Sequence, residues 1–108
     1  MRQMSADELA DAGYQVLEAA NSREAISILE TGVRVSVLFT DVNMPGELNG
    51  LELAYLVHDR WPRVRLLVTS GGARAGPQDV PDDGRFISKP YSLRRMCSLV
   101  DELVGAGA

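Results

Sequence analysis

The stretch VSVLFTDVNMPGELNG, Val35 to Gly50, constrains this chain more than any other. Val35, Val37, Leu38 and Phe39 form an apolar run that is too short for a helix and rich in β-branched and aromatic residues. Such a run reads as a strand covered on both faces, the kind found in parallel sheets. It ends at Thr40-Asp41, and Asn43, Met44, Pro45, Gly46 and Gly50 follow. Pro45 lacks an N–H and has a fixed φ, so the strand cannot continue through it. Asp41 is thereby left at the carboxyl end of a strand, where open α/β sheets place their chemistry. By position and residue type alone it is either a functional carboxylate or a cap for the loop and the helix beyond. Both readings stand at this point.

The rest of the chain supplies the context for that strand. Its 108 residues suffice for one domain with one modest core. A hydrophobic content of 45% with 24% charged residues is globular. A net charge of −4, without a dense run of Lys or Arg, argues against direct nucleic-acid binding. Cys97 is the only cysteine, which excludes an internal disulfide and fits a reducing compartment. No stretch approaches the ~18 apolar residues of a membrane span, and the N-terminus has no signal-peptide design. A cytoplasmic, soluble protein is expected.

Taken in order, Met1–Ala12 reads as a helix with Met4, Leu9 and Ala12 on its apolar side and Gly13 after its end. Tyr14–Ala19 has the residues of a short strand. Asn21 and Glu24 resemble a capping box, and Ala25, Ile26 and Leu29 mark the inward face of a helix closed by Gly32. After the central strand, Leu51–Arg60 predicts a helix with Leu51, Ala54, Tyr55 and Val57 inward, stopped by Trp61-Pro62. His58 is placed on its exposed side. Arg65–Ser70 and Phe86–Ser88 read as strands. Between Gly71 and Gly84, glycines and prolines leave room for one or two turns at most. Ser92 caps a last helix with Leu93, Met96, Cys97, Val100, Leu103 and Val104 inward, and the GAGA tail reads as frayed. Strands alternating with helices at this spacing predict an open parallel α/β sheet.

DVNMPGELNGLEL resembles the phosphoacceptor loop of bacterial response-regulator receiver domains, where an Asp ends the third strand and a Met-Pro loop leads into the third helix. The resemblance implies a flavodoxin-like sheet with helices on both faces, and it implies that Asp41 accepts a phosphoryl group from a histidine kinase or phosphotransfer protein. KPY at Lys89 resembles the family's Lys-Pro motif, whose peptide is typically cis and whose Lys contacts the phosphoryl group. Thr69-Ser70-Gly71 falls at the strand tip that carries a hydroxyl; Ser70 is the better match and Thr69 the runner-up. Phe86, three residues before Lys89, takes the place of the family's switch aromatic, and it also reads as an ordinary core aromatic. The resemblance further implies Mg²⁺, here with Asp41 and the main chain of Asn43 as donors.

One departure bears on all of this. Receivers hold Mg²⁺ through an acidic pair ending a first strand, and this chain opens inside the first helix without such a strand or pair. The expected domain, residues 1–108, is thus a receiver lacking its first strand, with a weak or impaired Mg²⁺ site. Exposed apolar surface and the possibility of self-association follow from the same gap. Three functions compete. A signalling receiver that switches a surface for a downstream protein comes first. A phosphorylation-impaired pseudo-receiver, acting as a protein-interaction module, is the alternative. A phosphatase resembling the haloacid dehalogenases comes last, because its second Asp is replaced by Asn43, which transfers no proton; a non-enzyme is expected.

Overall fold

The structure, a computed structural model, describes residues 2–43, 48–71, 77–80 and 84–107. Met44, Pro45 and Gly46 of the expected loop lie outside them, as do the side chain of Met4 and Gly72, Gly76 and Pro81. The elements are α1 (Arg2–Asp11), α2 (Ser22–Glu30), β1 (Val37–Asp41), α3 (Gly50–Arg60), β2 (Arg65–Ser70), a 3-10 turn at Pro77–Asp79, β3 (Arg85–Ser88) and α4 (Leu93–Gly107). The three strands form one parallel sheet in the order β1-β2-β3. Strand β2 is central, and all of its residues after Arg65 are buried.

Because side chains alternate along a strand, β2 feeds two cores. Leu66 and Val68 pack with Ala25 and Leu29 of α2 and with Leu53, Ala54 and Val57 of α3. Leu67 turns the other way and joins Ile87 with Met96, Leu99, Val100 and Leu103 of α4. Helix α1 rests against α4, and its Leu9 belongs to the second cluster. The result is the expected open parallel sheet with helices on both faces.

The local signals account for the helix ends. The Asn21 side chain accepts from the Glu24 N–H at 2.9 Å, while the Glu24 carboxylate accepts from the Ala20 N–H at 2.7 Å. Asn49 and Glu52 form a full capping box at the start of α3, and the Ser92 hydroxyl accepts from the Arg95 N–H at 3.0 Å. Each such cap contributes about 1 kcal/mol. Gly32, at φ +88°, supplies the left-handed turn that ends α2.

Several expectations need correction. Tyr14–Ala19 is not a strand. A strand exists through its hydrogen-bonded ladder, and among the described residues no strand pairs with this segment. Tyr14 packs in the α4 cluster and Ala19 in the α2/α3 cluster, so the segment passes from one face of the sheet to the other. Leu17 within it is 53% exposed. For the same reason β1 is half-buried rather than covered on both faces, with only Thr40 fully enclosed. On α3 the buried stripe is Gly50, Leu53, Ala54 and Val57. Ala54 and Val57 face inward as expected, but Leu53 rather than Leu51 or Tyr55 completes the stripe: Tyr55 is 50% exposed, and its hydroxyl donates to the Asp79 carbonyl at 2.8 Å. His58 is half-buried rather than exposed. Leu99 joins the α4 core, and the helix runs on to Gly107 instead of fraying at the GAGA tail. Once packed turns nucleate a helix, adding residues costs little, so two glycines do not stop it.

Between α1 and α4, the Tyr14 hydroxyl donates to the Asp101 carboxylate. This hydrogen bond, with burial and the Asp101 charge behind it, raises the Tyr14 pKa to about 12. Because the folded form holds the phenol proton more tightly than an unfolded chain with the ordinary value near 10, the contribution is fully present below about pH 10. It is lost as pH rises through about 12. Wild type should therefore lose stability over this window relative to Tyr14→Phe, as measured by parallel denaturation series; superimposable pH profiles would contradict it.

Candidate phosphoacceptor site

Strand β1 runs out at Asp41, and three contacts hold that end. The Val42 N–H donates to the Thr69 carbonyl at 2.8 Å, continuing the β1–β2 ladder by one residue. The Asn43 N–H donates to Asp41 Oδ1 at 2.9 Å, a local Asx-type turn that sends the chain away from the sheet. The Gly50 N–H donates to the Val42 carbonyl at 3.2 Å, so α3 starts directly against the strand end. A Cβ on Gly50 would overlap the main-chain carbonyl of Asp41 and come within 2.7 Å of Thr40 Oγ1. Only glycine allows this approach.

Across the sheet, β3 leads into Lys89. Its N–H donates to the Ser70 carbonyl at 3.0 Å, and the Lys89–Pro90 peptide is cis, as the motif implied. The Lys89 ammonium forms an ion pair with Asp41 Oδ2. The two side chains are 25% and 31% exposed, so the pair is reachable from solvent yet shielded on most sides. A carboxylate with one oxygen on a main-chain N–H and the other on an ammonium is oriented and charge-balanced. It can act as a nucleophile toward an electrophilic group whose negative oxygens the ammonium would meet.

The other predicted residues lie around this pair. Ser70 ends β2, is 4% exposed and stands in register with Ser88. Thr69, directly opposite Asp41 in the β1–β2 register, donates its hydroxyl to the Ile87 carbonyl at 2.7 Å. Phe86 is half-buried against the α2/α3 cluster, on the far side of β3 from α4. Two residues that the sequence motifs contain have contacts here that the sequence reading did not assign. Tyr91 sets its ring 5.9 Å from Phe39, under the Asp41 end of the sheet. Gly50 had one available signal: a glycine at the first position of a helix has poor propensity there and needs another reason to be present.

Residues 1–101 match the family described as the response regulator receiver domain. The chain is a receiver domain. It is 34% identical over 96 residues to the Brucella abortus sensor kinase CckA, a match covering 85% of this chain and 10% of the kinase. It is 30% identical over 107 residues to the Brucella abortus response regulator receiver protein CpdR, covering 96% of this chain and 88% of that protein. A response regulator receiver protein from Sinorhizobium medicae superimposes with a TM-score of 0.87 at 21% identity, covering 98% of this chain and 86% of that one. The receiver thus has the flavodoxin-like fold, in three strands among the described residues.

Receiver domains generally bind Mg²⁺ for phosphorylation. The described residues of this receiver do not fit that ion well. None of them form a group of three or more His, Cys, Asp or Glu side chains able to hold a metal. Asp41 already faces an ammonium, and the expected set adds to it one main-chain carbonyl, that of Asn43. Mg²⁺ demands near-octahedral oxygen ligation, which one paired carboxylate does not provide.

Proposed function

We propose that this receiver takes a phosphoryl group on Asp41 from the phosphohistidine of a histidine kinase or phosphotransfer protein. The supporting observation is the Asp41–Lys89 ion pair, formed across the tips of three parallel strands in a partly shielded position open to solvent. In the transfer, an Asp41 oxygen bonds to phosphorus as the phosphorus–nitrogen bond breaks, and the imidazole, already protonated on its other ring nitrogen, takes the bonding pair and leaves as the neutral ring. Lys89 shifts from the carboxylate to the incoming phosphoryl oxygens, and the tip of β2 donates a hydroxyl to them, from Ser70 or from its alternative Thr69, which stands in register with Asp41. Phe86 then registers the change for a downstream protein.

The domain is residues 1–108, acting as a signalling module rather than as an enzyme. The relatives include both a sensor kinase and a short response regulator, which supports a kinase as donor and a separate protein as reader. No helix among the described residues is long and apolar enough to cross a membrane, which agrees with a cytoplasmic place of action. The poor Mg²⁺ donor set favours one alternative, a pseudo-receiver that binds partners without being phosphorylated.

Intact mass after incubation with a small phosphodonor, with and without Mg²⁺, separates the two. The expected result is one added phosphoryl group on wild type, sensitive to hydroxylamine, and none on Asp41→Asn. Label that persists on Asp41→Asn removes the assignment, and an unlabelled wild type establishes the pseudo-receiver.

A further inference from the structure

We infer that Ser22, the first residue of α2, is a positioning residue for the phosphoacceptor, acting by holding the start of α3 against the tip of β1. The inference rests on the reading of Asp41 given above. The chain turns away from the sheet at Asn43 and is back beside it at Gly50, whose N–H donates to the Val42 carbonyl at 3.2 Å. That return sets the first residue of α3 hard against the Asp41 main chain. Whatever fixes the residues just ahead of Gly50 therefore bears on where Asp41 sits.

Ser22 makes that contact from a different helix. Its hydroxyl oxygen accepts from the Leu48 N–H at 3.4 Å, across 26 residues of chain. Ser22 is 2% exposed, so water does not readily take its place. Both ends of the bond are held. Ser22 follows the N-cap Asn21, which accepts from the Glu24 N–H at 2.9 Å, while the Glu24 carboxylate accepts from the Ala20 N–H. Leu48 precedes Asn49, the N-cap of α3, whose capping box is complete. The bond thus joins one capped helix start to another. Elsewhere α2 and α3 meet through apolar side chains such as Leu29 and Leu53, and through the exposed Glu30–Arg60 pair at their far ends. Apolar contact is non-directional and lets two helices shift against each other, whereas a hydrogen bond fixes a point. A methyl in place of the hydroxyl would keep α2 and its cap but leave the Leu48 N–H without its acceptor.

The test compares Ser22→Ala and Ser22→Thr with wild type, well below their melting temperatures, with Thr31→Val as the control. Thr31→Val removes a hydroxyl from the opposite end of α2, where it donates to the Ile28 carbonyl at 2.6 Å. The first readout is hydrogen exchange of the Leu48 amide together with the Asp41 carboxyl carbon shift in the unphosphorylated chain. The second is the initial rate of labelling by a small phosphodonor. In Ser22→Ala the Leu48 amide should exchange about three- to tenfold faster, the range of one neutral hydrogen bond. The Asp41 carboxyl resonance should move, and labelling should slow about two- to fivefold, less because the effect reaches Asp41 through the start of α3. Ser22→Thr, which keeps the hydroxyl, should restore both readouts, and Thr31→Val should match wild type. Wild-type exchange or wild-type labelling in Ser22→Ala, equal effects from Thr31→Val, or a threonine variant that behaves like alanine would overturn the assignment. If wild type takes no label, the phosphoacceptor reading fails, while the Leu48 exchange and the Asp41 resonance still decide the role of Ser22.

Discussion

Gly50→Ala should cost this domain about 3 kcal/mol, the upper part of the range for overpacking a rigid site. The added methyl has no space, because it would overlap the Asp41 carbonyl carbon and oxygen, which are main-chain atoms. No side-chain rotation relieves that clash. Either α3 backs away from the sheet, loosening the fully buried Leu53, Ala54 and Val57, or the end of β1 moves and carries Asp41 with it. Both routes lower the melting temperature, by roughly 12–24 °C at 4–8 °C per kcal/mol for a domain of this size. Gly105→Ala is the matched control. It lies in α4 with open space around the added Cβ, and relieving the entropic cost of a helical glycine should stabilise by about 0.5–1 kcal/mol. Thermal melts of the two variants should move in opposite directions. A Gly50→Ala melt within a few degrees of wild type would refute the close approach of α3 to Asp41.

Lys89→Met should show the reverse pattern, a large loss of function with a small loss of stability. The methionine keeps most of the stem that passes over Gly71, where Lys89 Cβ and Cδ would lie 3.7 Å from an added Cβ, and removes only the cation. Since both partners are about a quarter to a third exposed, solvent screens the pair, and its removal should change stability by less than about 1 kcal/mol. The developing phosphoryl charge, in contrast, loses its only cationic partner in the pair, a charge-assisted hydrogen bond of about 1.5–3 kcal/mol. That corresponds to roughly a 10- to 150-fold slower labelling of Asp41. Urea denaturation and labelling rates measured on the same preparation check both halves. A variant that labels at the wild-type rate would remove Lys89 from the mechanism.

Much of this was legible because the signals are local. The apolar run ending in Thr40-Asp41, the Lys-Pro pair and the caps at Asn21 and Ser92 each depend on a few adjacent residues. The structure places them as the sequence implied. The failures come from what neighbours in space decide. Tyr14–Ala19 has the composition of a strand, but composition does not supply a ladder partner. Tyr55 and Leu53 are both spaced compatibly with the α3 core, and the sheet chose the stripe containing Leu53. Gly50 was visible as a residue of the loop, but its proximity to the Asp41 main chain is a tertiary fact. Which of Thr69 and Ser70 stands in register with Asp41 likewise needed the cross-strand pairing, since two adjacent hydroxyls look interchangeable in one dimension.

The one-sided pairing of β1 has a consequence for how the site comes apart. The Ser36 carbonyl and the Val42 N–H both turn toward β2, so by the two-residue repeat the peptide groups of Val37, Phe39 and Asp41 turn outward. Asp41 is thus suspended from β2 and from the first residue of α3, with no second strand beside it in the described sheet. Opening events that release α3 would free the acceptor carboxylate, whereas those that release α4 would leave it seated on β2. The acceptor carboxylate therefore belongs to the cooperative unit of β1, β2 and α3, and its lifetime in working geometry is set by the opening free energy of that unit rather than by the global unfolding free energy.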